Sequence, residues 1–124
     1  MIPYLYAPLQ MRATPHQGEW RIIGVLAIDL AYGEAYTAHL PLSKVVRWPA
    51  HQLKIAKEVI QDIEAEGKHI AAHFHTSHHR SVAAWWESRA ARCEDFVRLC
   101  PPRPGITEAI QPETFQILRD LTGW

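Results

Sequence analysis

The sequence predicts an α+β domain: a small sheet of about three to four strands packed with three helices. Three observations carry this. Apolar residues alternate between Trp20 and Leu40, apolar residues recur at helical spacing after Pro49, and a long helical stripe closes at Pro101-Pro102. The 124 residues suit a single compact domain over 1–124, since a chain of this size buries roughly two-thirds of the surface it exposes when unfolded.

Taken in order, Tyr4, Leu5, Tyr6, Leu9 and Met11, punctuated by Pro3, Pro8 and Pro15, predict a short edge strand, and His16 to Glu19 reads as a turn. Residues 20–40 form a hairpin. Its first strand carries Trp20, Ile22, Leu26, Ile28 and Leu30 on one face and Ile23, Val25 and Ala27 on the other, so it is covered on both sides. A two-residue loop at Tyr32-Gly33 sets Asp29 opposite Tyr36 and Leu26 opposite His39. Pro41 ends the hairpin, and Ser43–Trp48 reads as a further short strand.

Pro49 suits a helical first turn, and Leu53, Ala56, Val59, Ile60 and Ile63 then mark a helix near 50–66, stopped by Gly67. Residues 68–76 read as a strand with Ile70, Ala72 and Phe74 on one face and His69, Ala71, His73 and His75 on the other. A helix near 78–100 follows, with Val82, Trp85, Trp86, Cys93, Phe96, Val97 and Cys100 in its stripe and Arg89 projecting into the middle. The last helix, near 112–122, starts around Pro112, buries Phe115, Leu118 and Leu121, and stops at Gly123.

Composition narrows the function classes. Lys and Arg number 13 and Asp and Glu number 13, so the formal net charge is zero and nonspecific nucleic-acid or membrane-surface binding lacks its basic excess. The apolar content of 48% with 21% charged residues argues for a packed core over disorder. No apolar run approaches the ~20 residues of a membrane span. Met1-Ile2-Pro3-Tyr4 has no signal-peptide features, so a cytoplasmic protein is expected. Cys93 and Cys100, seven apart on one predicted helix, lie too far apart for a disulfide and read as small apolar residues in a reduced interior.

The histidines stand out most. His69, His73, His75, His78 and His79 fall within eleven residues. On a strand, His73 and His75 point the same way with Cα atoms roughly 6.6 Å apart, a spacing that lets two imidazoles share one divalent ion, zinc or manganese. His78 and His79 would sit at a helix start, where the dipole favours the neutral, metal-binding ring. Asp29 and Glu58 are the candidate carboxylate ligands. A histidine-rich surface turn with no metal accounts for the same residues, and the run contains no carboxylate of its own.

His73-Phe74-His75 resembles the metal site of HUH single-strand nucleases. That resemblance implies a nucleophilic tyrosine, for which Tyr36 is the candidate. The element order resembles the ribonuclease H-like arrangement, with Asp29 matching the first-strand aspartate and Glu58 the helix glutamate. It implies two-metal phosphodiester cleavage. His75-Thr76-Ser77 stands where that family carries another aspartate, a departure that leaves a catalytically silent relative as the alternative. At the N-terminus, Tyr4-x-Tyr6, Gly18-Glu19-Trp20 and Ile23-Gly24-Val25-Leu26 resemble the start of the bacterial family called domain of unknown function 3037. That resemblance implies a bacterial or phage accessory protein and adds no activity.

Trp85-Trp86 and Arg89 form the other candidate site. Tryptophan is favoured at interface hot spots, and Arg89 could reach a carboxylate or phosphate. Structurally, the tryptophans read as core filling, and Arg89 as pairing with Asp29 or Glu94. No phosphate loop or nucleophile elbow is present. The expected function is therefore a small accessory protein that binds a macromolecular partner, another protein, through Trp85, Trp86 and Arg89. The alternative is a metal-dependent phosphodiesterase or nuclease using His73 and His75, with His78, His79 and Asp29 as further ligands. Nucleic acid is a partner only under that alternative, and no membrane partner is expected.

Overall fold

The computed structural model describes residues 1–12, 19–41, 49–74, 79–92 and 97–123, leaving out the side chains of residues 74 and 79–81. The elements run β1 (Ile2–Met11), β2 (Arg21–Asp29), β3 (Ala35–His39), α1 (Ala50–Phe74), α2 (His79–Ala91), β4 (Val97–Leu99), β5 (Arg103–Thr107) and α3 (Ile110–Thr122). The five strands make one antiparallel sheet packed with three helices, which is the expected α+β class. Its order is β3-β2-β1, and the far side of β1 is shared by β4 along Leu9–Met11 and by β5 along Ile2–Tyr6.

Alternation along β1 assigns the two faces. Ala7, Leu9 and Met11 enter a large core with α1, α2 and β4 residues that include Ile60, Ile63, Val82, Trp86 and Leu99. Tyr4 and Tyr6 turn to the opposite face, where α3 contributes Ile110, Ile117 and Leu118. In β2, Gln10 of β1 pairs with Ile22 while Leu9 pairs with Gly24, so Ile23 is an extra residue. This bulge puts Ile23 into the α1–α2 core with Leu26 and Ile28 and turns Ile22 to the α3 face, reversing the expected places of these two isoleucines.

Several expected elements differ. β1 is central instead of an edge strand. Its Pro8 is tolerated because only one half of a ladder pair is missing. The Pro8 carbonyl accepts the Cys100 N–H at 3.0 Å, and the Cys100 carbonyl, with no proline N–H to accept, takes the Trp86 indole N–H at 3.0 Å. The β2–β3 register places Ala27 opposite Tyr36 and Gly24 opposite His39, two residues from the expected pairing. A shift of two preserves the facing of every side chain. The longer turn that causes it is closed by the Asp29 N–H on the Glu34 carbonyl at 2.8 Å.

The strand expected at 68–76 is absent over its described part, because α1 continues through Gly67 to Phe74. The helix expected at 78–100 ends at Ala91, and Val97–Leu99 is strand β4, so Cys100 does not share a helical face with any cysteine. The strand expected at 43–48, and Cys93 with residues 94–96, lie outside the described residues. Helix α3 is where it was expected, closed by Gly123 at φ 74° with its N–H on the Arg119 carbonyl. Its buried residues are Ile110, Thr114 and Leu118, whereas Phe115 and Leu121 are half exposed. No helix among the described residues is long and apolar enough to cross a membrane.

Candidate functional site

Of the residues expected to form a metal centre, only His73 and Asp29 are described with their side chains. His73 belongs to α1, so the strand spacing that linked it to His75 does not exist. Its Nδ1 lies 2.8 Å from the His69 carbonyl and its ring 4.3 Å from that of His69, one helical turn away. His75 and His78 lie outside the described residues, as does the side chain of His79. Asp29 is buried at the end of β2, where its Oδ1 accepts the N–H groups of Ala31 at 2.6 Å and Tyr32 at 2.8 Å. It shapes the β2–β3 turn, as aspartates do by bonding their own backbone two residues on. Among the described residues, no group of three His, Cys, Asp or Glu side chains could hold a metal ion. The ribonuclease H-like arrangement also loses the strand it needed after the first helix.

The second expected site is an internal clamp. Trp86 is fully buried, with its N–H spent on Cys100. Trp85 is half-buried, stands edge-on to Trp86 at 6.0 Å, and donates to Glu66 Oε1 at 3.3 Å. Arg89 is 3% exposed and places Nε 3.4 Å from Glu66 Oε2, while Arg92 reaches the same carboxylate from outside. Glu66 thus fastens α2 to α1 by three side chains, and it is the partner that sequence reasoning assigned to Asp29 or Glu94.

The open chemistry lies on the other face. Helix α3 covers the sheet over β2 and β3 but leaves a hollow of about 480 Å³ beside its last two turns. Tyr6, Pro8 and Gln10 of β1, Ile22 at the bulge, the Cys100–Arg103 connection, and Ile117, Asp120 and Leu121 of α3 line it. A second hollow of about 460 Å³ adjoins it, sharing Gln10, Ile22 and Leu121 and extending to Trp20, Arg21 and Leu40. Each lies within the size range of ligand pockets.

Three local causes build this cleft. Proline at position 8 gives β1 a side chain too short to fill the space under α3, the bulge tips Ile22 toward it, and Pro101-Pro102 carry the chain between β4 and β5 along its wall. At the mouth, the guanidiniums of Arg98 and Arg12 lie over the Trp20 ring, 4.0 and 4.6 Å from its centroid. Arg98 also donates from Nε to Gln10 Oε1 at 2.7 Å, which fixes it across the β4–β1 pair. Arg21 and Arg103 join no ion pair among the described residues. Asp120, the one carboxylate in the lining among the described residues, accepts from Gln116 at 2.8 Å. Burial pushes the Cys100 thiol up, and Arg98 and Arg103 pull it back only in part.

Deeper under α3, the Tyr4 ring lies across Gly105, where an added Cβ would sit 2.5 Å from the ring. Tyr4 donates to Glu113 at 3.4 Å, and Glu113 also accepts from Thr107 at 3.2 Å. Burial first, then the Glu113 charge and hydrogen bond, push the Tyr4 phenol up to about 12.

Sequence reasoning missed the cleft because its residues come from five separate segments. The signal that pointed to it was the Tyr6-Pro8-Gln10 face of β1, unusually polar and short for a covered strand. No protein-family model, curated protein or solved structure matches the chain.

Proposed function

We propose that the chain acts by binding a protein partner, and that the cleft beside α3 is the contact surface in place of the Trp85–Trp86 helix. One observation supports this above the rest. The two adjoining hollows combine a partly apolar floor of Tyr6, Ile22 and Leu121 with Arg21 and Arg103, which join no ion pair among the described residues, the layout of an interface core with a polar rim. A reducing, cytoplasmic setting fits the free Cys100.

Site-specific photocrosslinking in cells of the source organism tests the reading. The photoreactive residue is placed at position 103 or 121 in the cleft and, as a control, at Lys57 on the exposed side of α1. One discrete protein adduct from the cleft positions and none from position 57 is the expected result. Adducts spread equally over all three positions, or absent from the cleft, would overturn it.

A further inference from the structure

Resting on that reading, we infer that the cleft accepts an extended, acidic segment of its protein partner, with an apolar side chain as anchor. Shape sets the first constraint. The two hollows share Gln10, Ile22 and Leu121, so together they form an elongated trough that crosses the sheet from the β5 end to the start of β2. A trough of this form suits a run of residues better than a compact metabolite.

Charge sets the second. Arg103 lines the first hollow and Arg21 the second, and Arg98 and Arg12 are held over Trp20, which lies beside Arg21 in the second. Asp120, the one carboxylate in the lining among the described residues, is turned to Gln116. The chain as a whole is neutral, so this cationic excess is local to the cleft. Fixed cations around an apolar floor favour a partner that brings carboxylates at its flanks and an apolar group between them. Arginine is suited to this because its planar fork meets a carboxylate with two hydrogen bonds. The Trp20 ring, already covered by two guanidiniums, is less free to stack on a base, which favours peptide over single-stranded nucleic acid.

The test selects random linear decapeptides displayed on phage against the full chain. Synthetic copies of the winners are then titrated by fluorescence anisotropy at low and high salt. Three proteins are compared: the native chain, Leu121→Arg, and the Arg21→Glu/Arg103→Glu double variant. All three altered positions are exposed, and unchanged thermal unfolding confirms that the variants fold. The expected winners carry Asp or Glu around an apolar residue and bind more weakly as salt screens the pairing. The double variant should lose at least about tenfold in affinity, and a peptide with Lys in place of Glu should recover binding to it. Winners that are neutral or basic yet depend on Leu121 overturn the acidic assignment and leave the binding reading standing. Oligothymidylate that binds the cleft more tightly than any peptide overturns the choice of a protein partner. No binder that depends on Leu121 overturns both.

Discussion

The two faces of the sheet are built to different ends. On the α1–α2 face, one continuous aliphatic cluster runs from Ala7 and Leu9 through Ile60 and Ile63 to the fully buried Trp86. On the α3 face, burial is split into two small clusters around Leu118 and Ile110, and the space beyond them is open. The strand side chains differ accordingly. The closed face receives Leu9, Met11, Leu26 and Ile28, whereas the open one receives tyrosines, Pro8 and Gln10. One face holds the fold together, and the other has stability to spare for a surface.

The largest effect should come from the residue that closes the first face. Trp86→Ala removes a buried indole and leaves the Cys100 carbonyl without its donor, a loss of about 3–5 kcal/mol in chemical denaturation. Trp86→Phe, which removes the N–H and trims the ring, should cost about 1–3 kcal/mol. A Trp86→Ala chain as stable as the native one would mean that the faces do not differ in this way.

On the open face, the corresponding test is a pH titration of Tyr4. Its folded-state value is raised from 10.0 to about 12, so folding favours the protonated phenol. The stabilisation is fully present below pH 10 and is lost as pH rises toward 12. The loss amounts to about 2–3 kcal/mol, since each pKa unit is worth about 1.4 kcal/mol. Denaturation of Tyr4→Phe over the same range should lack that part of the slope. An identical slope in both proteins would show that the Tyr4–Glu113 pair is open to solvent.

The smallest effect should be a gain. Gly67 lies inside α1, and a Cβ there would meet the Trp85 ring at 3.5 Å and Ile28 and Leu26 at 3.7 Å, ordinary contact distances. Gly67→Ala should therefore stabilise by about 0.5–1 kcal/mol through helix propensity alone. A loss would mean that α1 packs on the closed face more tightly than these distances allow.

Gly67 also marks where the sequence was hardest to read. Taken as a helix stop, it turned Ile70-Ala-Ala-His-Phe into a strand by alternation. Yet Ile63, Gly67, Ile70 and Ala71 fit a helical stripe equally well, because so short a run satisfies both periods. With that strand went the spacing that joined His73 to His75, on which the expected metal site was built. The β2–β3 hairpin was legible because the apolar run of β2, buried on both faces, leads through the Tyr32-Gly33 turn into a second strand, and α3 because Pro112 and Gly123 frame it. β4 was lost because Val97-Arg98-Leu99 is too short to interrupt an apparent helical stripe. The cleft was illegible for a different reason. Its walls are brought together by a bulge, a proline pair and long-range strand pairing, none of which leaves a local pattern.

The first strand of the chain pairs with its last two: Ile2 stands opposite Thr107, and Met11 opposite Val97. On a ribosome, β1 is made before β4 and β5, and its second edge stays open until about a hundred residues more have been made. Until then β2 is the one partner it can have among the described strands, and the Pro8 carbonyl lacks the Cys100 N–H. Closure of such distant pairs is slow, because a long loop must be ordered before the contacts it brings are gained. The sheet is therefore completed only after β4 and β5 are made, and a nascent chain halted before β4 would present the open edge of β1 to whatever chaperone is near.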